Sequence, residues 1–184
     1  MRRAVFLDRD GTLIEDVDYL RRLDEMTLFP WTIDALRLLT RSGFATVVVT
    51  NQSAVARGLV TEEFVRDTHA ALDARLRAGG ARVDAYYYCP HHPEAAIEQY
   101  RRRCRCRKPA PGMIEDAASD LALNLPQSWI VGDRWLDIET GRNAGVRSIL
   151  VGGEGAGPTR ETARVDGDAG RRTRADRANR KSVV

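Results

Sequence analysis

The sequence predicts an α/β domain, a Rossmann-like parallel sheet with helices on both faces. Two observations carry that expectation. Short apolar runs of strand length recur along the chain, and segments of helical periodicity stand between them. Strands that alternate with helices pack as a parallel sheet covered on both sides.

Ala4–Leu7 is the first such run and is expected to be a buried strand. Residues 31–41 place Ile33, Leu36 and Leu39 at helical spacing, and Gly43 stops the helix. Residues 45–49 are continuous and β-branched, as a strand buried on both faces should be. Thr61 is placed to cap a helix that runs to about Ala78, with Phe64, Leu72 and Leu76 facing inward and Gly79-Gly80 closing it. His69 on that helix is expected at the surface or its boundary. Residues 83–88 form a third strand. Residues 111–122 form a helix with proline in its first turn. Residues 129–131, 138–143 and 147–151 complete the pattern as strand, short helix and strand.

At 184 residues, with 43% hydrophobic and 30% charged side chains, the chain can bury one substantial core. No apolar run is long enough to cross a bilayer, so no membrane partner is expected. Met1-Arg2-Arg3 is followed by only four apolar residues before Asp8, too few for a secretory signal. A cytoplasmic, monomeric protein with reduced thiols is expected. Beyond residue 153 the pattern dies, and residues 154–184 read as a disordered tail. That tail holds eight Lys/Arg and five Asp/Glu, which leaves 21 of each sign in residues 1–153. A formally neutral body creates no global field for nucleic acid, which is not an expected partner. An anion site has to be built locally.

Ligands of parallel sheets sit beyond the carboxyl ends of the strands. After the first strand stands Asp8-Arg9-Asp10-Gly11-Thr12. Asp8 and Asp10 lean to one side of an extended chain and repel unless a cation or proton separates them. Read alone, the pair is either a polar turn closed by Gly11 or an Mg²⁺ site with a carboxylate nucleophile. Thr50, Asn51, Gln52 and Ser53 follow the second strand and offer a hydroxyl and amides to phosphate oxygens, or form an ordinary cap. Lys108 is a point charge suited to phosphate. Asp133, after the fourth strand, is a candidate third carboxylate for the metal.

Acid pair, hydroxyl, lysine and acid, in that order, resemble the four motifs of the haloacid dehalogenase superfamily of phosphatases. The resemblance covers roughly residues 4–151. It implies that Asp8 attacks phosphorus, while Asp10 protonates the leaving oxygen and then activates water. Thr50 and Lys108 would hold the phosphoryl group. Asp8, the Asp10 carbonyl and Asp133 would bind Mg²⁺. A dianionic phosphate repels an anionic nucleophile, so Mg²⁺ and Lys108 are expected to neutralise the site.

Residues 89–109 hold all three cysteines. Cys89, His91, Cys104 and Cys106 give C-x-H-x₁₂-C-x-C, which suits a closed, structural Zn²⁺ site. His92 is the competing histidine. The absence of C-x-x-C speaks against a redox role, and the arginines at 101–103 and 105 would offset the net −1 of three thiolates around Zn²⁺. The loop ends on Arg107-Lys108, so a metal staple there would preorganise two cations at a phosphate site.

DRDGT, TNQS-x₃-RG, the cysteine loop running into CRKP, and GDR-x₂-D are together similar to the heptose bisphosphate and histidinol-phosphate phosphatase branch of that superfamily. The resemblance implies a flap at residues 16–19, with Asp16 and Tyr19 facing the substrate. Thr50, Asn51, Gln52, Ser53, Arg107 and Lys108 would also contact it. No large cap domain is visible. The expected activity is removal of the C7 phosphate of D-glycero-D-manno-heptose 1,7-bisphosphate, a small-molecule sugar phosphate. The alternatives are histidinol-phosphate hydrolysis and a non-catalytic zinc-clipped binding module. Two positions depart from the usual pattern. Arg134 stands in place of lysine, a cation that meets phosphate through a fork. Ala54-Val55 stands where glycine is frequent, which would strain Ala54 if positive φ were needed.

Overall fold

Ala4–Leu7 forms β1, and all four side chains are buried because the strand lies in the middle of the sheet. The computed structural model of the protein describes residues 1–152 and 164–166. Helix α1 (Thr32–Arg41) leads to β2 (Ala45–Asn51), and the one-turn α2 (Ser53–Ala56) precedes α3 (Glu62–Ala78) and β3 (Ala85–Cys89). Helix α4 (Gly112–Asp120) leads to β4 (Trp129–Gly132), and α5 (Trp135–Ala144) to β5 (Arg147–Leu150). The sheet order is β3-β2-β1-β4-β5-β6, where β6 is Arg164–Asp166, with β1 to β5 parallel.

Side-chain alternation sorts the strands between two cores. Ala4, Phe6, Val47 and Val49 pack on one face with Ile114 and Ala117 of α4 and Ala144 of α5. Val5, Leu7 and Val48 pack on the other with Leu36 of α1 and Leu72 and Leu76 of α3. Both faces are covered, which is why β1 and β2 read as continuous apolar runs.

The expected elements are all present, with shifts that have local causes. The Thr61 hydroxyl caps α3 by accepting from Phe64 N at 3.1 Å. The inward stripe is Val65, Thr68, His69, Leu72 and Leu76, with Phe64 only half-buried. His69 is thus a core residue, not a surface one; it stacks on Tyr86 at 4.9 Å. Helix α5 starts three residues before the expected position, because Asp137 reaches back to accept from Arg134 N at 3.2 Å and closes the first turn. Helix α4 stops at Asp120, ahead of Ala122 with its left-handed φ of 51°. Strand β3 begins at Ala85 because the Asp84 carboxylate takes Thr46 N at 2.8 Å. Ala54 lies inside α2, buried and outside the positive-φ residues, so the expected strain does not arise. Arg164–Asp166 forms β6, antiparallel to β5. The rest of the expected tail lies outside the described residues.

Candidate active site

Strand order reverses between β1 and β4, and the loops that leave them diverge to open a crevice. Asp8 directly follows β1 and is locked to β4 by a bond from its N to Val131 O at 2.9 Å. The chain then turns sharply at Gly11, whose φ is 81°. A Cβ there would stand 2.3 Å from Asp133 Oδ2, so only glycine lets the two loops touch.

Lys108 is the centre of the site. Its Nζ donates to Asp8 Oδ1 at 2.8 Å and to Asp137 Oδ1 at 2.5 Å, and all three residues are buried. Asn51 fixes its backbone from both sides: Oδ1 accepts Lys108 N at 3.0 Å and Nδ2 donates to Lys108 O at 3.2 Å. Burial pushes Asp8 up to about 7, against the pull of Lys108 and helped by the charge of Asp137. Burial also opposes the Lys108 charge, yet Asp8 and Asp137 outweigh it and raise its pKa, so it stays an ammonium.

Carboxylate oxygens of Asp8, Asp133 and Asp137 lie within 4.8 Å of one another. Both Asp137 oxygens are taken, one by Lys108 and one by Arg134 N. Asp133 Oδ1 is buried with no partner, and burial raises the Asp133 pKa. An orphaned carboxylate oxygen beside Asp8, in an all-oxygen donor set, fits a hard divalent cation.

Asp10 is held by a second network. Arg9 is buried and donates to its carboxylate from NH2 at 3.1 Å and from Nε at 3.2 Å. Gln52 Nε2 donates to Asp10 Oδ2 at 2.9 Å and to Thr50 Oγ1 at 2.8 Å, while Gln52 Oε1 accepts from Arg9 at 2.9 Å. The rim is cationic. Arg134 bonds Asp16 at 2.6 Å, Arg57 lies 5.8 Å over the Tyr19 ring, and Arg107 NH1 donates to His91 O at 3.0 Å.

One cavity of about 160 Å³ brings together Asp8, Asp10, Asp16, Tyr19, Thr50, Asn51, Gln52, Ser53, Arg107, Lys108 and Arg134. Asp133 is not among its lining residues and stands beside Asp8 in the acid cluster. Sequence reasoning missed Asp137 and Arg9 as site residues. Both stand inside the quoted motifs, GDR-x₂-D and DRDGT, where their spacing was the available signal.

The cysteine loop also closes on itself. Ligand atoms of Cys89, His91, Cys104 and Cys106 lie within 4.8 Å of one another. The Sγ–Sγ separations are 3.1, 3.3 and 3.5 Å, and His91 Nδ1 is 3.4 Å from Cys106 Sγ. A tetrahedron built on the usual Zn–S and Zn–N lengths has edges of about 3.5–3.8 Å, close to these. The hydrogen bond between Cys106 and Cys89 pulls the Cys106 thiol down to about 5 and pushes Cys89 up. His92 turns away, its Nδ1 accepting from Glu94 N at 3.1 Å. Three arginines of the loop have partners of their own: Arg101 bonds Ala95 O, Arg102 meets His91 Nε2, and Arg105 pairs with Asp116 of α4.

These features have counterparts among known proteins. A HAD-hydrolase-like family model matches residues 105–171. The D-glycero-beta-D-manno-heptose-1,7-bisphosphate 7-phosphatase of Escherichia coli K12 is 40% identical over 162 residues, 87% of this chain and 85% of its own. The enzyme of the same name from Photorhabdus laumondii is 43% identical over 136 residues, 74% and 72% of the two chains. The crystal structure of D,D-heptose 1,7-bisphosphate phosphatase from B. bronchiseptica, complexed with magnesium and phosphate, superposes with a TM-score of 0.72 at 34% identity, covering 80% of this chain and 79% of that one. With its buried Asp8–Lys108 centre on a parallel sheet, this chain is a phosphatase and belongs to the HAD-like hydrolases, in the D-glycero-beta-D-manno-heptose-1,7-bisphosphate 7-phosphatase family.

Proposed function

We propose that the protein removes the C7 phosphate of D-glycero-D-manno-heptose 1,7-bisphosphate and releases the heptose 1-phosphate. The observation that carries the chemistry is the buried Asp8–Lys108 pair beside the orphaned Asp133 oxygen. Asp8 Oδ2 attacks phosphorus, the P–O bond to C7 breaks, and the Asp10 proton goes to the leaving oxygen. Asp10 then takes a proton from water, which attacks the aspartyl-phosphate, and the P–Oδ bond breaks to free phosphate. Lys108 and the Thr50 hydroxyl hold the phosphoryl oxygens. Gln52 and Arg9 hold Asp10 in reach, and Asn51 holds Lys108. Asp8, Asp133 and the Asp10 carbonyl would bind Mg²⁺, which supplies charge neutralisation that makes attack by an anion possible.

The rest of the substrate falls to the rim. Asp16, Tyr19, Ser53, Arg107 and Arg134 line the cavity around the acid pair, and two of them are cations suited to a second phosphate. Cys89, His91, Cys104 and Cys106 would hold a structural Zn²⁺ that fixes the chain entering Arg107-Lys108. We place the enzyme in the cytoplasm as a monomer with this small-molecule substrate alone; no helix among the described residues is long and apolar enough to cross a membrane.

Phosphate release with Mg²⁺ over a panel tests this reading. The panel holds both anomers of the heptose bisphosphate, histidinol phosphate and several hexose phosphates. A large kcat/KM preference for a heptose anomer is expected, with turnover abolished in Asp8→Asn. A preference for histidinol phosphate would move the protein to that substrate, and full activity in Asp8→Asn would overturn the assigned nucleophile.

A further inference from the structure

Outside the catalytic cavity, one carboxylate holds two phenols at once. Glu62 is the first residue of α3, where the helix N-terminus favours an acid. Its Oε2 accepts from Tyr88 OH at 2.7 Å and its Oε1 from Tyr100 OH at 2.8 Å. Both bonds are charge-assisted. The bond from Tyr88 and then that from Tyr100 hold the Glu62 carboxyl below its usual range.

The three residues belong to three separate segments. Tyr88 is on β3, immediately before Cys89. Tyr100 is inside the 12-residue stretch between His91 and Cys104. The clip pins the two ends of that stretch, and Glu62 pins it again near its far end. A long loop tied at one more point has less freedom to lose when it orders.

From Tyr100 the contacts continue to the cavity. Its carbonyl accepts His92 N at 3.1 Å, and its ring lies 6.2 Å from that of His91. The His91 carbonyl accepts Arg107 NH1 at 3.0 Å, and Arg107 lines the cavity. Glu62 itself does not.

We infer that Glu62 is a positioning residue: with Tyr88 and Tyr100 it forms a metal-independent second anchor of the cysteine loop, and through His91 it sets where Arg107 meets a phosphate-bearing substrate. The kinetic part rests on the Arg107 role proposed above; the anchor itself does not.

The test compares Glu62→Ala, Glu62→Gln and Tyr100→Phe with wild type in the intact, metal-loaded protein. Amide hydrogen exchange over residues 92–106 reads the anchor. Kinetics with whichever phosphomonoester of the panel is turned over fastest read the positioning, so a wrong choice of heptose substrate does not confuse the outcome. In Glu62→Ala, exchange over that stretch is expected to rise about tenfold or more, and KM about tenfold, with kcat within about twofold. Glu62→Gln keeps one carbonyl acceptor and should recover part of both; Tyr100→Phe should reproduce most of both. Wild-type exchange in Glu62→Ala would overturn the anchor. Faster exchange with unchanged KM would overturn the positioning role and leave Glu62 a structural residue only.

Discussion

Lys108 and Asp137 form a buried ion pair, Nζ to Oδ1 2.5 Å, that stands behind Asp8, the proposed nucleophile, and competes with it for the same ammonium. Asp137 thereby sets how much of the Lys108 charge faces Asp8. Asp137→Asn keeps an oxygen for the α5 cap but removes the charge, so Lys108 should collapse onto Asp8. We expect kcat/KM to fall about 10²-fold with the fold intact by circular dichroism. Asp137→Ala should also cost roughly 3 kcal/mol in urea unfolding, the low end for breaking a buried pair, because Asp8 still partners the lysine. Wild-type kcat/KM in Asp137→Asn would show that the pair does not tune the site.

Asn51 spends both ends of its amide on the Lys108 backbone, at 3.0 and 3.2 Å. It lies at the end of β2, so it transfers the rigidity of the sheet to a residue on a loop. Asn51→Ala frees that backbone. With Lys108 as the proposed phosphate-binding cation, a displacement of about 1 Å can cost up to about 10² in rate, so kcat/KM should drop between tenfold and a hundredfold. Asn51→Asp restores only the acceptor and should recover less than half of the loss on a logarithmic scale. Equal activity in Asn51→Ala would mean that the clip alone holds Lys108.

His69 gives the fold a dependence on pH. Burial, and then the charge of Arg9, pushes it down to about 3. The unfolded chain takes up a proton near 6.5 and the native protein does not until about 3, so its contribution is complete above 6.5 and is lost as pH falls across that window. Asp8, raised to about 7, acts in the opposite sense over part of the same range. The measurement is therefore the difference between wild type and His69→Phe at each pH. From pH 6.5 to 5 that difference should move by about 2 kcal/mol against wild type. A constant difference would place His69 in a wetter setting than the stack on Tyr86 and the edge of Tyr88 provides.

Much of this was legible in the sequence. Strands β1 and β2 announce themselves because a strand covered on both faces has no polar alternation to disguise it. Asp8, Thr50 and Asp133 stand at strand ends, where a parallel sheet presents its ligand groups, and Lys108 reaches them from the loop between β3 and α4. What periodicity does not encode is pairing across the fold. His69 looks like a polar surface residue until β3 brings Tyr86 and Tyr88 beneath it. Asp137 looks like a helix residue until Lys108, 29 positions earlier, arrives under the first turn. Arg9 looks like a filler between two acids, yet it and Gln52 fix the rotamer of Asp10. The late start expected for α5 has the same origin, because the cap that begins it is made by a residue of the site.

In the cysteine loop, the tautomer of His91 decides how a metal can bind. Arg102 NH2 meets His91 Nε2, and an arginine can only donate. That contact needs the lone pair of Nε2 and puts the ring proton on Nδ1. A metal bound at Nδ1 needs the reverse. Loading Zn²⁺ should therefore release Arg102 to solvent, where it still offsets the charge of the thiolates. Zinc content should be about one per chain, and Arg102→Ala should bind it at least as tightly as wild type. Stripping the ion, or Cys106→Ser, frees His91 and with it the carbonyl that holds Arg107 at 3.0 Å. KM should then rise several-fold more than kcat falls, since Lys108 keeps its ties to Asn51, Asp8 and Asp137. Loss of kcat with unchanged KM would instead mean that the clip supports Lys108 and not Arg107. Retention of both after complete removal of the ion would leave the clip with no part in the site.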